Sequence, residues 1–195
     1  MLDNLEKYKV ILASGSPRRR ELMAGLGVNY EVRILPDVDE SYPDTLQGEE
    51  IPLYIAKEKA DAYIPMMQPD ELIITADTIV WLDGEVLGKP RDREDALQML
   101  RTMSGRTHEV FTGVCITTTD WQRSFTAQTE VRFATLSEDE IIYYVDNFKP
   151  MDKAGAYGVQ EWIGFIGVEN ISGSYYNIMG LPVQKLYREL LNFFQ

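Results

Sequence analysis

Segments with strand-like spacing alternate along the chain with segments of helical spacing, and this alternation restricts the fold more than any other feature of the sequence. Strands are expected over Lys9 to Ala13, Tyr30 to Leu35, Leu72 to Leu82 and, as a pair, His108 to Leu136. Helices are expected over Pro17 to Gly27, Ile51 to Met67, Asp92 to Met103, Ser137 to Asn147 and onward from Pro182. No linker or repeat interrupts the order. We therefore expect a single domain over residues 1–195, of the α/β class with a mixed sheet and flanking helices.

The charge balance restricts the partners of the chain. Among 195 residues, 31 are acidic and 19 are basic, so the formal net charge is -12. Such a surface repels nucleic-acid polymers and anionic membranes, and no apolar run is long enough for a membrane span. The single cysteine, Cys115, lies in an apolar run and is expected to be a small buried residue. A small phosphorylated ligand stays compatible with this composition if the basic residues gather at one place.

Basic residues do gather between the first strand and the first helix, in the run Ser14-Gly15-Ser16-Pro17-Arg18-Arg19-Arg20. Ser16 is placed to cap the helix and Pro17 to occupy its first position. Arginines in an opening turn are unfavourable by a few tenths to about 1 kcal/mol unless an anion offsets the positive helix end. The run therefore suits phosphate oxygens, and the alternative is a solvated basic turn. It lacks the pattern of a P-loop.

Asp77 stands inside the long β-rich run Ile73 to Val80, where strand alternation places it on the side of Thr75 and Ile79. Aspartate is rare in strands, and an unpaired buried carboxylate is unfavourable. Something must therefore compensate its charge. One interpretation is a local hydrogen bond or a bulge at a sheet edge. The other is a metal ligand or general base on a rigid element.

Other polar residues are individually weak signals. Lys57 and Lys59 stand two apart in a predicted helix, so at most one of them can point into a site. Glycines are dense over Asp152 to Gln160 and again before Pro182, which permits close backbone approach to a ligand but also makes ordinary turns. His108 is the only histidine, so a metal site built from several histidines is excluded. We expect His108 to be structural.

Five of these motifs, in this order and spacing, resemble the Maf family of nucleoside triphosphate pyrophosphatases. They are Ala13 to Arg19, Ala76-Asp77-Thr78, Gly88-Lys89-Pro90, Asp152 to Gln160 and Gly180-Leu181-Pro182. The resemblance implies an elongated mixed-sheet α/β fold similar to inosine triphosphate pyrophosphatases, with an active-site cleft between two lobes. It also implies a divalent metal cation, Mg or Mn, and a cytoplasmic location.

The resemblance further implies roles for particular residues. Asp77 becomes the catalytic residue and, with Glu40, the metal site. Phosphate contacts fall on Ser14, Arg19, Lys57 and Lys89, and substrate-selective positions on Arg18, Thr78 and Gln160. These identities resemble the subgroup that acts on dTTP and UTP. The chain departs from the family after the glutamine, where Glu161-Trp162-Ile163 replaces the usual small residues.

The implied reaction is metal-assisted attack of water on the α-phosphorus, which yields a nucleoside monophosphate and pyrophosphate. The expected partner is a small-molecule nucleotide, with no nucleic-acid polymer and no membrane, and a homodimer stays open. Two alternatives are kept. One is a nucleotide-binding regulator of septum formation without turnover, and the other is a pyrophosphatase for a modified purine nucleotide such as 7-methyl-GTP.

Overall fold

The computed structural model describes residues 2–36 and 38–192 and contains a seven-stranded sheet. The strands are β1 (Lys9–Leu12), β2 (Glu31–Val32), β3 (Glu71–Leu82), β4 (Glu85–Leu87), β5 (Thr107–Thr117), β6 (Gln122–Phe133) and β7 (Val168–Ser172). Their order is β2-β1-β3-β5-β6-β7, with β4 paired to β3. β1 runs parallel to β2 and β3, whereas the β3–β4 and β6–β7 pairs are antiparallel. The prediction of a mixed sheet is therefore confirmed.

Seven helices accompany these strands in the described part of the chain. They are α1 (Pro17–Gly25), α2 (Glu50–Tyr63), α3 (Arg93–Met103), α4 (Glu138–Phe148), α5 (Trp162–Gly167), α6 (Tyr175–Ile178) and α7 (Val183–Leu191). Each helix expected from the sequence is present, although α1 and α2 end earlier than predicted. The second strand is shorter than predicted, because only Glu31 and Val32 pair with β1 before the chain leaves the sheet. Helices α5 and α6 and strand β7 were not predicted.

The chain divides into two compact units. The first contains the residues up to Asp77, Thr112–Ala127 and the residues from Gly180 onward. The second contains Thr78–Phe111 and Gln128–Met179. The expectation of one domain over 1–195 stays a prediction. Across the described residues, no helix has the combined length and apolar character needed to cross a membrane.

In the first unit, α2 lies very close to β5 because the residues between them are small. A Cβ atom built on Gly113 would collide with the backbone of Pro52 at the start of the helix. One turn further along, Ala56 and Ala60 pack against Cys115, and all three are fully buried. Burial raises the pKa of the Cys115 thiol to about 11, so it is protonated at neutral pH. The expectation of a small buried cysteine is confirmed.

In the second unit, local sequence signals set a tight turn and the start of a helix. Asp83 and Gly84 both have positive φ, at 54° and 87°, which a tight turn between β3 and β4 requires. Ser137 caps α4 by accepting a hydrogen bond from the Glu140 N–H, and the Glu140 side chain accepts one from the Ser137 N–H. This reciprocal pair fixes the first residue of the helix.

His108 belongs to the core of the second unit. It is 1% exposed, its ring meets Phe133 and Tyr157 edge to face, and its Nε2 lies 2.7 Å from the Tyr157 hydroxyl. Burial lowers the pKa of His108 from 6.5 to about 4. The imidazole is therefore neutral at pH 7, and its surroundings agree with the expected structural role.

The pH dependence of stability provides a test of this environment. The pKa of His108 is lower in the folded protein than in the unfolded chain, so the unfolded chain binds a proton first as the pH falls below about 6.5. The free energy of unfolding therefore decreases from that pH down to the folded-state pKa of about 4. Between pH 7 and 5 this linkage amounts to about 2 kcal/mol. Urea unfolding at both pH values should show that much less loss in His108→Gln than in the unmodified protein. Equal losses in the two proteins would contradict a buried neutral imidazole.

Candidate functional site

The carboxylate of Asp77 is directed from the middle of β3 toward α2. Thr75, two residues earlier on the same side of the strand, donates a hydrogen bond through its hydroxyl to the Ala56 carbonyl of α2, at 2.6 Å. Asp77 then accepts one at Oδ1 from the Lys59 ammonium, at 2.8 Å. Each of these two charged side chains is only 14% exposed. The charge that the sequence left without compensation is therefore met by a cation from a helix.

Lys59, and not Lys57, is the lysine that contacts Asp77. Residues two apart on a helix point in very different directions, and the direction here is set by packing. Lys59 comes three residues after Ala56 and four before Tyr63, both of which are buried, whereas Lys57 is exposed. The phosphate contact that the resemblance implied for Lys57 stays a prediction. The contact with Asp77 is made by Lys59 instead. The apolar face of the helix was the sequence signal that distinguishes them.

Glu40 reaches the same ammonium from the loop after β2, with its Oε1 2.8 Å from Lys59 Nζ. The chain entering this loop is tied to α2 as well. The Tyr63 hydroxyl accepts a hydrogen bond from the Leu35 N–H at 3.0 Å and donates one to the Arg33 carbonyl at 2.8 Å. One helix therefore holds both Lys59 and the segment that leads to Glu40.

The first turn of α1 supplies the arginines predicted for anion binding. Ser16 is the N-cap residue, Pro17 follows it, and the Ser16 hydroxyl accepts a hydrogen bond from the Arg19 N–H. Ser14, two residues after β1, is buried, and its hydroxyl accepts hydrogen bonds from the Ser16 N–H and from Arg19 Nη1, both at 3.3 Å. The predicted cap is confirmed.

The Arg19 guanidinium is fixed at a second point, since its Nε donates to the Gly180 carbonyl at 2.7 Å. Desolvation lowers the pKa of Arg19 below its ordinary value, while the negative charge of Asp77 acts in the opposite direction. Arg18 reinforces the lowering, and Glu40 opposes it. Arg19 therefore lies in the electrostatic field of both carboxylates. The role of the Gly180 carbonyl was not predicted, although the glycine itself belonged to a noted motif.

Asp77 and Glu40 are also the carboxylates that could share a divalent cation. They converge on one ammonium, so both present oxygen atoms to a single positive charge. Within residues 2–36 and 38–192, no group of three or more His, Cys, Asp or Glu side chains could hold a metal ion. Mg²⁺ commonly binds through one or two carboxylates together with waters and substrate phosphates. A pair of carboxylates fits that mode rather than a complete protein cage.

The remaining predicted residues, Thr78, Lys89 and Gln160, belong to the second unit. Lys89 is exposed and follows β4, and Gln160 precedes α5. The loops that carry them are joined by a hydrogen bond from the Gly155 N–H to the Gly88 carbonyl, at 3.0 Å. Gly155 has a φ of 67°, and a Cβ there would press on Val80 at 3.0 Å. Close backbone packing explains this glycine.

Comparison with known proteins places this geometry in context. A family model described as "Maf-like protein" matches residues 9–193. A protein of Bacteroides thetaiotaomicron named dTTP/UTP pyrophosphatase is 72% identical over 190 residues, which cover 97% of this chain and 98% of the relative. A protein of the same name from Parabacteroides distasonis is 60% identical over 193 residues, covering 99% and 100%.

Solved structures resemble the fold at low sequence identity. The Staphylococcus aureus Ham1 protein has a TM-score of 0.53 at 15% identity and covers 96% of this chain and 100% of its own. A HAM1 protein from Coxiella burnetii has a TM-score of 0.52 at 14% identity, covering 95% and 99%. These likenesses concern the fold alone, and they agree with the mixed α/β architecture.

The two lysines of α2 make a matched pair for a test of the carboxylate cluster. Lys59→Met removes the cation between two converging carboxylates, and we expect a loss of about 1–3 kcal/mol in the free energy of unfolding. Lys57→Met changes an exposed residue of the same helix and should stay within about 0.5 kcal/mol. Urea unfolding at pH 7 without added divalent metal measures both. Equal effects would remove Lys59 from the cluster.

Proposed function

The chain belongs to the Maf-like protein family, and from that premise we propose that it hydrolyses dTTP and UTP to the nucleoside monophosphate and pyrophosphate. Relatives of nearly full length carry that activity in their names, and the class of the reaction is nucleoside triphosphate hydrolysis. The observation that carries the proposal is the cluster in the first unit. There, a strand-borne carboxylate, Asp77, lies beside Lys59 and in the field of Arg19.

The cationic residues of the cluster are suited to the triphosphate. Arg19 presents a planar guanidinium whose position is fixed by Ser14 and the Gly180 carbonyl, so little side-chain freedom is lost when an anion binds. Ser14 adds a hydroxyl, and the start of α1 adds the positive end of a helix. These groups would stabilise negative charge that builds on the phosphoryl oxygens during the reaction.

Asp77 is the residue proposed to act on water. As an anion paired with Lys59, it can orient a water molecule or take its proton as the oxygen attacks the α-phosphorus. The bond between the α- and β-phosphates then breaks, and pyrophosphate leaves with the electron pair. Because β3 is a central strand of the sheet, the carboxylate is held on a rigid element.

Glu40 and Asp77 would hold the divalent cation, Mg²⁺ or Mn²⁺, that the family implies. Once bound, such an ion neutralises charge on the triphosphate. The Lys59 ammonium contacts the same two carboxylates, so a divalent cation would compete with Lys59 for Glu40 and Asp77. Lys59 is therefore proposed as a phosphate contact, a role that the resemblance had implied for Lys57.

Selection of the base is proposed to rest on Gln160, together with Arg18 and Thr78, and Lys89 is kept as a phosphate contact on the same resemblance. The Gln160 side-chain oxygen is buried and accepts no hydrogen bond from any described residue. An amide that offers an acceptor beside a donor matches the imide edge of uracil or thymine, which offers a donor beside an acceptor. A cytoplasmic location, where these nucleotides are used, belongs to the same proposal.

A panel of triphosphates tests the function. Purified protein with Mg²⁺ or Mn²⁺ should release pyrophosphate from UTP and dTTP faster than from CTP, ITP or 7-methyl-GTP. In ¹⁸O-labelled water the label should enter the monophosphate and not pyrophosphate, because attack is at the α-phosphorus. Absence of turnover with every substrate would favour a binding regulator instead. Preference for 7-methyl-GTP would favour the modified-purine alternative.

The role of Asp77 is tested by Asp77→Asn, which is nearly isosteric but removes the charge. We expect kcat for UTP to fall by about a thousandfold or more, because the group that orients or deprotonates water is lost. The far-ultraviolet circular dichroism should be unchanged. Asp70→Asn, at an exposed residue just before β3, is the control and should keep the original kcat. Unchanged turnover in Asp77→Asn with metal present would remove Asp77 from the mechanism.

A further inference from the structure

Gln160 has a side-chain oxygen without a hydrogen bond from any described residue, although that atom is buried. A buried acceptor in this state is unfavourable by about 1–3 kcal/mol unless a donor arrives. The backbone at residue 160 sets where the side chain starts and therefore where its amide can reach. The residues that fix that backbone therefore bear on how well Gln160 can recognise a ligand.

The backbone at Gln160 is a tight turn between Gly158 and Glu161. The Glu161 N–H donates to the Gly158 carbonyl at 2.9 Å, and Glu161 is the N-cap residue of α5. Its side chain makes no capping hydrogen bond. It folds back over the turn instead, so that a Cβ on Gly158 would lie 2.9 Å from Glu161 Cδ. Glycine at 158 leaves room for this carboxylate.

The hydroxyl of Tyr144 binds both ends of this turn. Tyr144 lies on α4 and is fully buried. Its hydroxyl donates to Glu161 Oε2 and accepts a hydrogen bond from the Gly158 N–H, at 3.0 Å. Burial, followed by the neighbouring Glu161, raises the pKa of Tyr144 above its ordinary value, so the hydroxyl keeps its proton. Gln160 therefore lies between Gly158 and Glu161, which both form hydrogen bonds with the Tyr144 hydroxyl.

Lys153 balances the charge of the inward-facing carboxylate. Its Nζ lies 3.1 Å from Glu161 Oε1 and 2.8 Å from Asp152 Oδ1, and its side chain is 10% exposed. A partly buried carboxylate is compensated when a cation and a hydrogen-bond donor both contact it. Lys153 and Tyr144 provide these two contacts to Glu161.

We propose that Tyr144, acting through Glu161 and Gly158, is a positioning residue that sets substrate selectivity by fixing the Gln160 amide. The inference rests on the proposed function, in which Gln160 reads the base. It gives a purpose to Glu161, where the chain departs from the family pattern. The carboxylate, which is 21% exposed, contacts Tyr144 and Lys153 and supports the turn, instead of altering the recognition surface directly.

The first experiment compares Tyr144→Phe with Tyr143→Phe. Tyr143 is the adjacent residue of α4, its side chain is exposed, and its ring meets Trp162, so the control removes an exposed hydroxyl and keeps the ring contact. In Tyr144→Phe we expect KM for UTP and dTTP to rise about tenfold, because the loss of one hydrogen bond changes an affinity by about that factor. The value of kcat should stay within about twofold of that of the unmodified enzyme. The preference for UTP over CTP, measured as the ratio of kcat/KM values, should fall several-fold. Tyr143→Phe should match the unmodified enzyme.

A double-mutant cycle separates positioning from general support of the fold. If Tyr144 acts through Gln160, Tyr144→Phe should leave KM unchanged in a Gln160→Ala background. The same tenfold increase in both backgrounds would overturn the proposal. Glu161→Gln, which retains an oxygen to accept from Tyr144, should keep the UTP preference better than Glu161→Ala. This pair keeps the test decisive if Tyr144→Phe fails to fold.

The outcomes also distinguish this inference from the proposed function. If the unmodified protein does not turn over UTP, the proposed function fails and the inference falls with it. If UTP is hydrolysed normally, but Tyr144→Phe only lowers the melting temperature and leaves KM and the UTP-to-CTP ratio unchanged, the inference alone is overturned.

Discussion

The pairing of Asp77 with Lys59 is the interaction on which the rest of the site depends. A carboxylate in the middle of a sheet strand is unfavourable unless a cation meets it, and here the cation comes from α2. Lys59 reaches Asp77 only because α2 lies close to the sheet, which in turn requires Gly113 at one contact and small residues around Cys115 at another. Features that look like ordinary packing are therefore conditions for the placement of a charge.

Fixed local charges reconcile the net charge of -12 with an anionic ligand. An acidic surface repels a triphosphate at long range, so attraction has to be local and fixed in advance. The first turn of α1 provides it, since Arg19 is held by Ser14 and by a carbonyl from the distant residue Gly180. The field of Asp77 and Glu40 favours the charged form of this partly buried arginine, against the effect of desolvation. Acidic and basic residues stabilise one another before any ligand arrives.

Sequence reasoning recovered the elements whose signals are local. The helix start at Ser16 and Pro17 was predicted from a few neighbouring residues. The turn at Asp83 and Gly84 and the capping box at Ser137 rest on equally local signals. The short elements α5, β7 and α6 were missed, because four to six residues give too little periodicity to recognise. Asp77 was recognised because a charged residue interrupts an apolar strand. The apolar spacing of α2 distinguishes Lys59 from Lys57, but the contact of this helix face with Asp77 depends on the tertiary packing.

Glu161 shows where a family pattern and a physical account diverge. Taken as a change in sequence alone, a large charged residue in place of a small one would alter the surface beside Gln160. In the structure the carboxylate turns inward, where Tyr144 and Lys153 compensate it. A substitution at such a position need not create a new ligand contact, because it can instead stiffen the backbone of the residue beside it. Since Tyr144 acts on the turn and not on Asp77, selectivity for the base can change while the chemistry at the phosphates stays the same.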